Sequence, residues 1–458
     1  MVDAASFITG KRMPIIVAVA YPAFGHTNGM IHISSHLVKH GFKVYFVGGS
    51  DFERPIKESG AEYIENNFNF VTPEWSEGVS ALNGIDSFLF ALKEVFAKST
   101  LTGFPLLRAT LERVRDENPG RQIIIFHEAM ANSLLPFYYG APLPKGYDQL
   151  PKIINFHTTF NFEQSRDVFP VGSALPPASS DKERAMVKEA WDSFISKSTT
   201  LNDYASNIYR TLGATMDVTD FYLDRMMNIG EVTLLPFSSS LEFPRSDLNP
   251  KIKFIGTLPV KPISPDLVYP PWWAEIEANA ELPVSSPDRK KVVFVTQGTV
   301  TVDYTELLIP TLKALASRSD LIVIATLGSR GQTLPDDVEI GANVRILDYF
   351  PYDAVLQKAD VFVSNAGFGS YLHGVTHGVP MVLAGTKLDK GDVCARAEYC
   401  GIAIDLKTQN PTQEALAEAV DKVLREPKYK MRSIEIKKEN EALDALGTIE
   451  KIILSYAE

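Results

Sequence analysis

Three groups of residues have types and spacings that could do chemistry. The first is a glycine-rich turn, FVSNAGFGSYLHG, residues 362–374, where an apolar run stops and a helix is expected to begin near Gly369. Free N–H groups at a helix start, together with the helix dipole, form an anion site, and glycines let a ligand approach the backbone. Asn365 would add an amide donor and Ser370 a hydroxyl, with Gly367 and Gly369 between them. TQGTV, residues 296–300, is a second loop after an apolar run and offers Gly298 and Thr299. Tight packing of a helix on a sheet would also use such glycines, and the turn alone does not separate the two readings. The second group is His26 in AFGHTNG: an imidazole titrates near neutrality and suits general-base work, while a loop histidine that caps the next helix is the competing reading. The third is His32, His36 and His40, at i, i+4 and i+8 on one expected helix face. Two of them could chelate zinc, but no carboxylate or cysteine stands beside them at metal-site spacing. They read as a solvated or interdomain polar face, and no metal is expected. No Asp-x-Asp pair occurs anywhere in the chain, so a metal-bridged diphosphate is unsupported.

The elements that must position these groups follow a rhythm. PIIVAVA is a β-rich run, YPAFGHTNG a loop, MIHISSHLVKH a helix with Ile31, Ile33, Leu37 and Val38 on its apolar face, and FKVYFVGG the next strand. The same βαβ pattern returns near residue 290, in KKVVFVTQGTV, DYTELLIPTLKALASRS and DLIVIATLG. Further strands are expected at 122–126, 152–156, 344–347 and 360–365. Alternation of this kind predicts an α/β fold of two doubly wound, Rossmann-like domains with parallel sheets. The proline-dense segment 254–273 should separate them. The expected division is 1–258, a linker 259–288, a second domain 289–430, and a C-terminal helix 431–458 packing back on the first domain. FPVGSALPPASSDKE, residues 169–183, reads as a surface loop. In a parallel sheet, ligands bind at the carboxyl ends of the strands, and both the His26 and Asn365 loops lie there.

Bulk composition narrows the classes. The chain has 458 residues, 45% apolar and 22% charged, with ample length for a core. A net charge of −11 argues against a nucleic-acid partner, which normally demands a basic surface. Two cysteines, Cys394 and Cys400, fit a reducing compartment. Met1–Pro14 lacks the apolar core of a signal peptide, and no run reaches membrane-spanning length, so a cytoplasmic protein without a membrane span is expected.

The long stretch 347–393, LDYFPYDAVLQKADVFVSNAGFGSYLHGVTHGVPMVLAGTKLDKGDV, resembles the C-terminal signature of the UDP-glycosyltransferase superfamily. YPAFGHTNG near the start and LEFPRSDLNPKIKFIGTLP before the linker extend the resemblance over most of the chain. It implies the GT-B fold, two domains facing a cleft, and inverting transfer of a sugar, glucose foremost, from a UDP-sugar co-substrate to a small acceptor without a metal or other cofactor. Carried over residue by residue, Tyr349 stands where the family stacks an aromatic on uracil, and Phe350 would contact the base through its backbone. Asn365 replaces the usual diphosphate-binding histidine, and Gly367, Gly369 and Ser370 fall on the diphosphate loop. His373 sits in place of a ribose-binding glutamate, Tyr352 in place of a glutamine, and Asp389 with Lys390 in place of the acidic-amide pair that grips sugar hydroxyls. His26 matches the catalytic histidine. The resemblance also calls for an acid after a later strand, and Glu128 in IIIFHEAMANS fits, one methylene longer than the usual aspartate.

The acceptor would then meet the first domain. Phe70, Trp75, Phe88 and Phe162 are candidates for an apolar pocket taking a lipophilic hydroxylated small molecule of phenolic or polyketide type, with core packing as the competing reading. Two other functions fit parts of the pattern. A binding protein that keeps the nucleotide-sugar cleft but has lost catalysis would explain the departures at 352, 365 and 373. A dehydrogenase would need a Gly-x-Gly-x-x-Gly after the first strand, which YPAFGHTNG does not supply.

Overall fold

The structure, a computed structural model, describes residues 13–68, 72, 75, 77, 78, 81, 82, 84–298 and 303–457. Among the described residues, seven strands form the first sheet: β1 Ile15–Val19, β2 Lys43–Gly48, β3 Glu62–Glu65, β4 Ile123–Glu128, β5 Lys152–Phe156, β6 Val232–Leu235 and β7 Ile252–Phe254. Six form the second: β8 Lys291–Thr296, β9 Leu321–Thr326, β10 Val344–Leu347, β11 Val361–Ser364, β12 Met381–Leu383 and β13 Ala403–Asp405. Every pairing is parallel, in the orders β3-β2-β1-β4-β5-β6-β7 and β10-β9-β8-β11-β12-β13.

The central strands, such as β1, β4, β8, β9 and β11, read as apolar runs because both faces of each sheet are covered there, whereas edge strands such as β3 and β10 carry polar residues. Along β1, Ile15, Val17 and Val19 enter one core cluster while Ile16 and Ala18 enter another. Along β8, Phe294 packs with the first of these clusters and Val293 and Val295 with a third. In both sheets the chain runs outward from the central strand, then returns to its other side, so β1/β4 and β8/β11 are topological switch points where a crevice opens at the strand ends.

Several local expectations are revised. YPAFGHTNG is only in part a loop: helix α1, Phe24–Lys39, starts inside it, so His26 sits in the first helical turn. Gly25, Asn28 and Gly29 are poor helix formers, but Gly29 faces Leu258 and Phe156, where tertiary packing overrides propensity. The segment 169–183 does more than cover a surface: the Gly172 and Ala174 N–H groups donate to Asp392 of the second sheet's layer at 2.6 and 3.3 Å. The C-terminal region is not one helix from 431. One helix, Pro427–Ala442, begins at a proline that suits a first-turn position, and a second, Ala445–Ser455, follows a break at Asp444. Asp444 adopts φ +46° and its carboxylate caps the Gly447 N–H. That last helix supplies Ala445, Ile449, Ile452 and Ile453 to the core beside β1 and α1.

Candidate active site

His26 and Glu128 come from opposite sides of the first switch point, and the register of β1 against β4 brings them together. His26 Nδ1 lies 2.9 Å from Glu128 Oε1, although the two are 102 residues apart. Glu128 closes β4 and is fully buried, whereas about a fifth of the His26 side chain is exposed. Burial pushes the Glu128 carboxyl up, but the His26 imidazole, its hydrogen bond and the Thr158 hydroxyl together outweigh burial and hold it below its ordinary value. An ionised carboxylate on Nδ1 sets the tautomer and leaves Nε2 as the nitrogen to accept a proton.

Thr158, which the sequence reading did not single out, completes the cluster. It follows β5, its hydroxyl donates to Glu128 Oε1 at 2.9 Å, and it lies 2.9 Å from His26 Nδ1. No local pattern marks TTFNF for such a role, because the contact depends on the β4–β5 register. A Thr158→Val substitution should lower kcat about tenfold with KM for donor little changed, since it removes a positioning hydroxyl and no ligand contact. Steady-state kinetics on the purified variant would check the split.

The ring of His26 is flanked edge-on by Tyr21 at 5.4 Å and Phe96 at 5.8 Å between centroids. Phe96 belongs to a π-helical segment, Leu92–Ala97, set between two α-helical stretches, a distortion that recurs at functional sites. Trp75, Phe88 and Phe162 are instead buried in the core of the first domain, with Phe88 and Phe162 ring to ring at 5.2 Å. Phe70 lies outside the described residues, as does Thr299.

At the second switch point, Asn365 follows β11 and its Nδ2 donates to the Gln297 carbonyl after β8 at 2.6 Å. The amide thus ties the two loops together and turns Oδ1 toward Gly298 and Gly367, at 4.0 and 3.9 Å from where their Cβ atoms would be. Helix α2, Phe368–His377, starts at Gly367 with no side-chain cap. Its first N–H groups are therefore open to a ligand. The glycines here divide in two. A Cβ at Gly374 or Gly385 would strike Met381 Sδ at 2.7 Å or the Asn365 carbonyl at 2.4 Å, so those two serve packing. A Cβ at Gly369 would meet nothing within 4 Å, so protein packing does not explain that glycine. Gly298 has φ +82°, a conformation that favours glycine in its own right.

The remaining candidates are placed as follows. Tyr349 is exposed, with the Arg330 guanidinium 5.2 Å from its ring centroid, and Phe350 is buried against Trp273 at 5.4 Å. His373 Nδ1 is 2.8 Å from Asp353 Oδ1, which also takes His377 Nε2 at 3.0 Å. Burial raises the Asp353 carboxyl, but the two imidazoles dominate and hold it well below its ordinary value. Tyr352 is inside the second domain, its hydroxyl 2.8 Å from Thr296 Oγ1. Asp389 precedes helix α3, Lys390–Tyr399, and accepts a bond from Thr159 at 3.3 Å. Thr158 and Thr159 are adjacent, so one dipeptide touches both the His26 cluster and the 389–390 corner.

The two crevices face each other. Phe368 of the glycine turn packs edge-on against Phe237 of the first domain at 5.7 Å. Arg396 of α3 is buried across the interface, 2.7 Å from Glu242 Oε1, with its guanidinium between the rings of Phe160 and Phe243 at 3.8 and 4.4 Å. The arrangement puts an imidazole with an ionised partner on one domain and an uncapped helix start on the other. That pairing suits moving a proton from one group while an anion forms on another.

Comparison with known proteins agrees with this geometry. A family model described as the C-terminal domain of erythromycin biosynthesis protein CIII-like proteins matches residues 311–449. UDP-glucosyltransferase 1 of Beauveria bassiana is 37% identical, covering 96% of this chain and 95% of its own. UDP-glucosyltransferase B1 of Starmerella bombicola is 31% identical, covering 97% of this chain and 99% of its own. Among solved structures, the kitacinnamycin glycotransferase has a TM-score of 0.69 at 18% identity, covering 98% of this chain and all of its own. The calicheamicin glycosyltransferase CalG4 reaches 0.64 at 16% identity over 97% and 98%. Those two likenesses carry the fold, two facing Rossmann-like domains of the GT-B type, and no helix among the described residues is long and apolar enough to cross a membrane. With relatives above 30% identity along nearly its whole length, the chain belongs to the UDP-glycosyltransferase superfamily and is a glycosyltransferase.

Proposed function

We propose that the enzyme transfers glucose from UDP-glucose to a hydroxyl of a lipophilic small molecule of phenolic or polyketide type, with inversion at the anomeric carbon and without a metal in the transfer step. The observation that carries this is the assembled His26–Glu128–Thr158 cluster, whose neighbour Thr159 bonds Asp389 of the second domain. His26 Nε2 takes the acceptor's hydroxyl proton as its oxygen attacks the anomeric carbon. The bond from that carbon to the diphosphate breaks, and UDP leaves with the electron pair. Glu128 stabilises the imidazolium that forms, and the N–H groups at Gly367–Ser370 receive the charge on the leaving diphosphate. Tyr349 stacks the uracil, and Asp389 and Lys390 read the sugar hydroxyls. The names of the two relatives, both UDP-glucosyltransferases, support glucose as the sugar. The aromatic walls around His26, Tyr21 and Phe96, support an apolar acceptor. A silent binding protein would not need a buried, ionised carboxylate held on a histidine.

A panel of UDP-sugars offered with a generic phenol and read by mass spectrometry tests the reaction. Glucosylated product is expected, and no product from any donor would end the reading. The glycine turn has its own test. Gly369→Ala should fold with little change in melting midpoint, because its Cβ position is open, yet raise KM for the donor several-fold by crowding the diphosphate.

A further inference from the structure

His36 and His40, one turn apart on α1, meet a carboxylate that the local sequence does not contain. Glu450, on the last helix, Ala445–Ser455, places Oε2 2.9 Å from His36 Nε2 and 2.6 Å from His40 Nδ1. The two imidazole centroids are 4.1 Å apart, and the three ligand atoms all lie within 4.8 Å of one another. Among the described residues this is the one His, Cys, Asp or Glu group brought to that spacing. We propose that His36, His40 and Glu450 form a binding site for a divalent transition-metal ion of the zinc class, which clamps the C-terminal helix onto the helix that carries His26.

The donor set has the right chemistry. Two imidazoles and one carboxylate suit zinc, which binds nitrogen and oxygen ligands at about 2.0–2.2 Å and so needs tetrahedral ligand atoms about 3.4 Å apart. The two histidine–carboxylate separations are somewhat shorter than that and the histidine nitrogens lie within 4.8 Å of each other, so small side-chain adjustments would seat the ion. Both imidazoles point at the same carboxylate oxygen, which is the geometry an ion would occupy in place of the two shared protons. Three protein ligands leave a fourth position for water, and 40% exposure of the His40 side chain gives the ion a path from solvent, while Glu450 is only 10% exposed. The clamp joins points 410 residues apart in the chain, and the apolar contacts of Ala445, Ile449, Ile452 and Ile453 already hold the helix nearby, so little ordering remains for the ion to impose. His32, one turn earlier on α1, is not part of the group. The site lies outside the transfer machinery, and its test does not depend on activity.

The untagged full-length chain, stripped with chelator, would be titrated with Zn²⁺ by calorimetry and followed by thermal melting and by the visible spectrum of the Co²⁺ form. One ion per chain is expected, with a melting midpoint raised by a few degrees at saturation. His40→Ala and Glu450→Gln should each weaken binding at least about tenfold. Glu450→Gln keeps an acceptor for the histidines and so separates lost metal from lost folding. His377→Ala, which breaks the second cluster of two histidines and Asp353, should bind as the unaltered chain does. Absence of saturable uptake, uptake indifferent to both His40→Ala and Glu450→Gln, or loss of uptake in His377→Ala would overturn the proposal. Uptake at this trio without a rise in the midpoint would overturn the clamp.

Discussion

His26→Ala is expected to reduce kcat for sugar transfer by about 10²–10⁴-fold while UDP binds within about twofold of the unaltered enzyme. The size follows from what the imidazole supplies. Without Nε2, the acceptor hydroxyl must surrender its proton to water as its oxygen attacks, and the ionised Glu128 loses the cation it would stabilise. In the proposed reading the nucleotide binds the other domain, at Gly298, Asn365 and the start of α2, so its affinity should not follow the rate. The substitution also has a secondary effect. Removing the ring leaves Glu128 fully buried with Thr158 and the Met130 N–H as hydrogen-bond donors, so some stability will be lost as well. His26→Gln preserves a donor toward the carboxylate and serves as the matched control. If either variant retains near-normal turnover with a phenolic acceptor, His26 is not the base.

Arg396→Met is expected to produce the largest loss of stability, about 3 kcal/mol, and to raise KM for both substrates. Arg396 and Glu242 are 4% and 2% exposed, so each charge relies on the other and on nearby hydrogen bonds. Glu242 also accepts from the Asn161 and Phe243 N–H groups, which places the cost at the low end for a broken buried pair. Methionine keeps the contact with Phe160 and Phe243 but takes away the ion-pair partner of the carboxylate, leaving it two backbone N–H donors and the more distant Arg245. The double variant Arg396→Met/Glu242→Gln removes both charges and should recover much of the loss. Thermal and urea melting of the four proteins would give the coupling. Because the pair bridges the domains close to the cleft, its loss should loosen the facing of His26 and the glycine turn, which KM reports. Equal midpoints for the single variant and the unaltered chain would show that the interface does not depend on this pair.

Much of the architecture is legible along the chain. The apolar runs at β1, β2, β4, β5, β8, β9 and β11 stand out because parallel strands covered on both faces cannot alternate with polar residues. Shorter strands were less visible: β7 and β12 have three residues each, too few for periodicity, and gain their identity from neighbours on the sheet. The start of α1 was hidden by Gly25, Asn28 and Gly29, whose local preference is for a turn. The residues His26 and Asn365 could be named in advance because strand ends in such sheets face a crevice, whereas Glu128 was named through the family resemblance, which calls for an acid after a later strand.

What the sequence by itself determined is the class of machine: two βαβ rhythms, glycine turns after strands, a histidine after the first strand, and a signature long enough to mark a family. What only the tertiary structure decided is which side chains touch. Thr158 joins the His26–Glu128 pair through the register of β5. Arg396 meets Glu242 across two domains. Glu450 supplies the carboxylate that His36 and His40 lack locally. The physical reason is one of range. Strand and helix patterns arise from neighbours within a few residues, whereas these contacts are 132, 154 and about 410 residues apart and exist only once the sheets, and the helices packed on them, have fixed their relative positions.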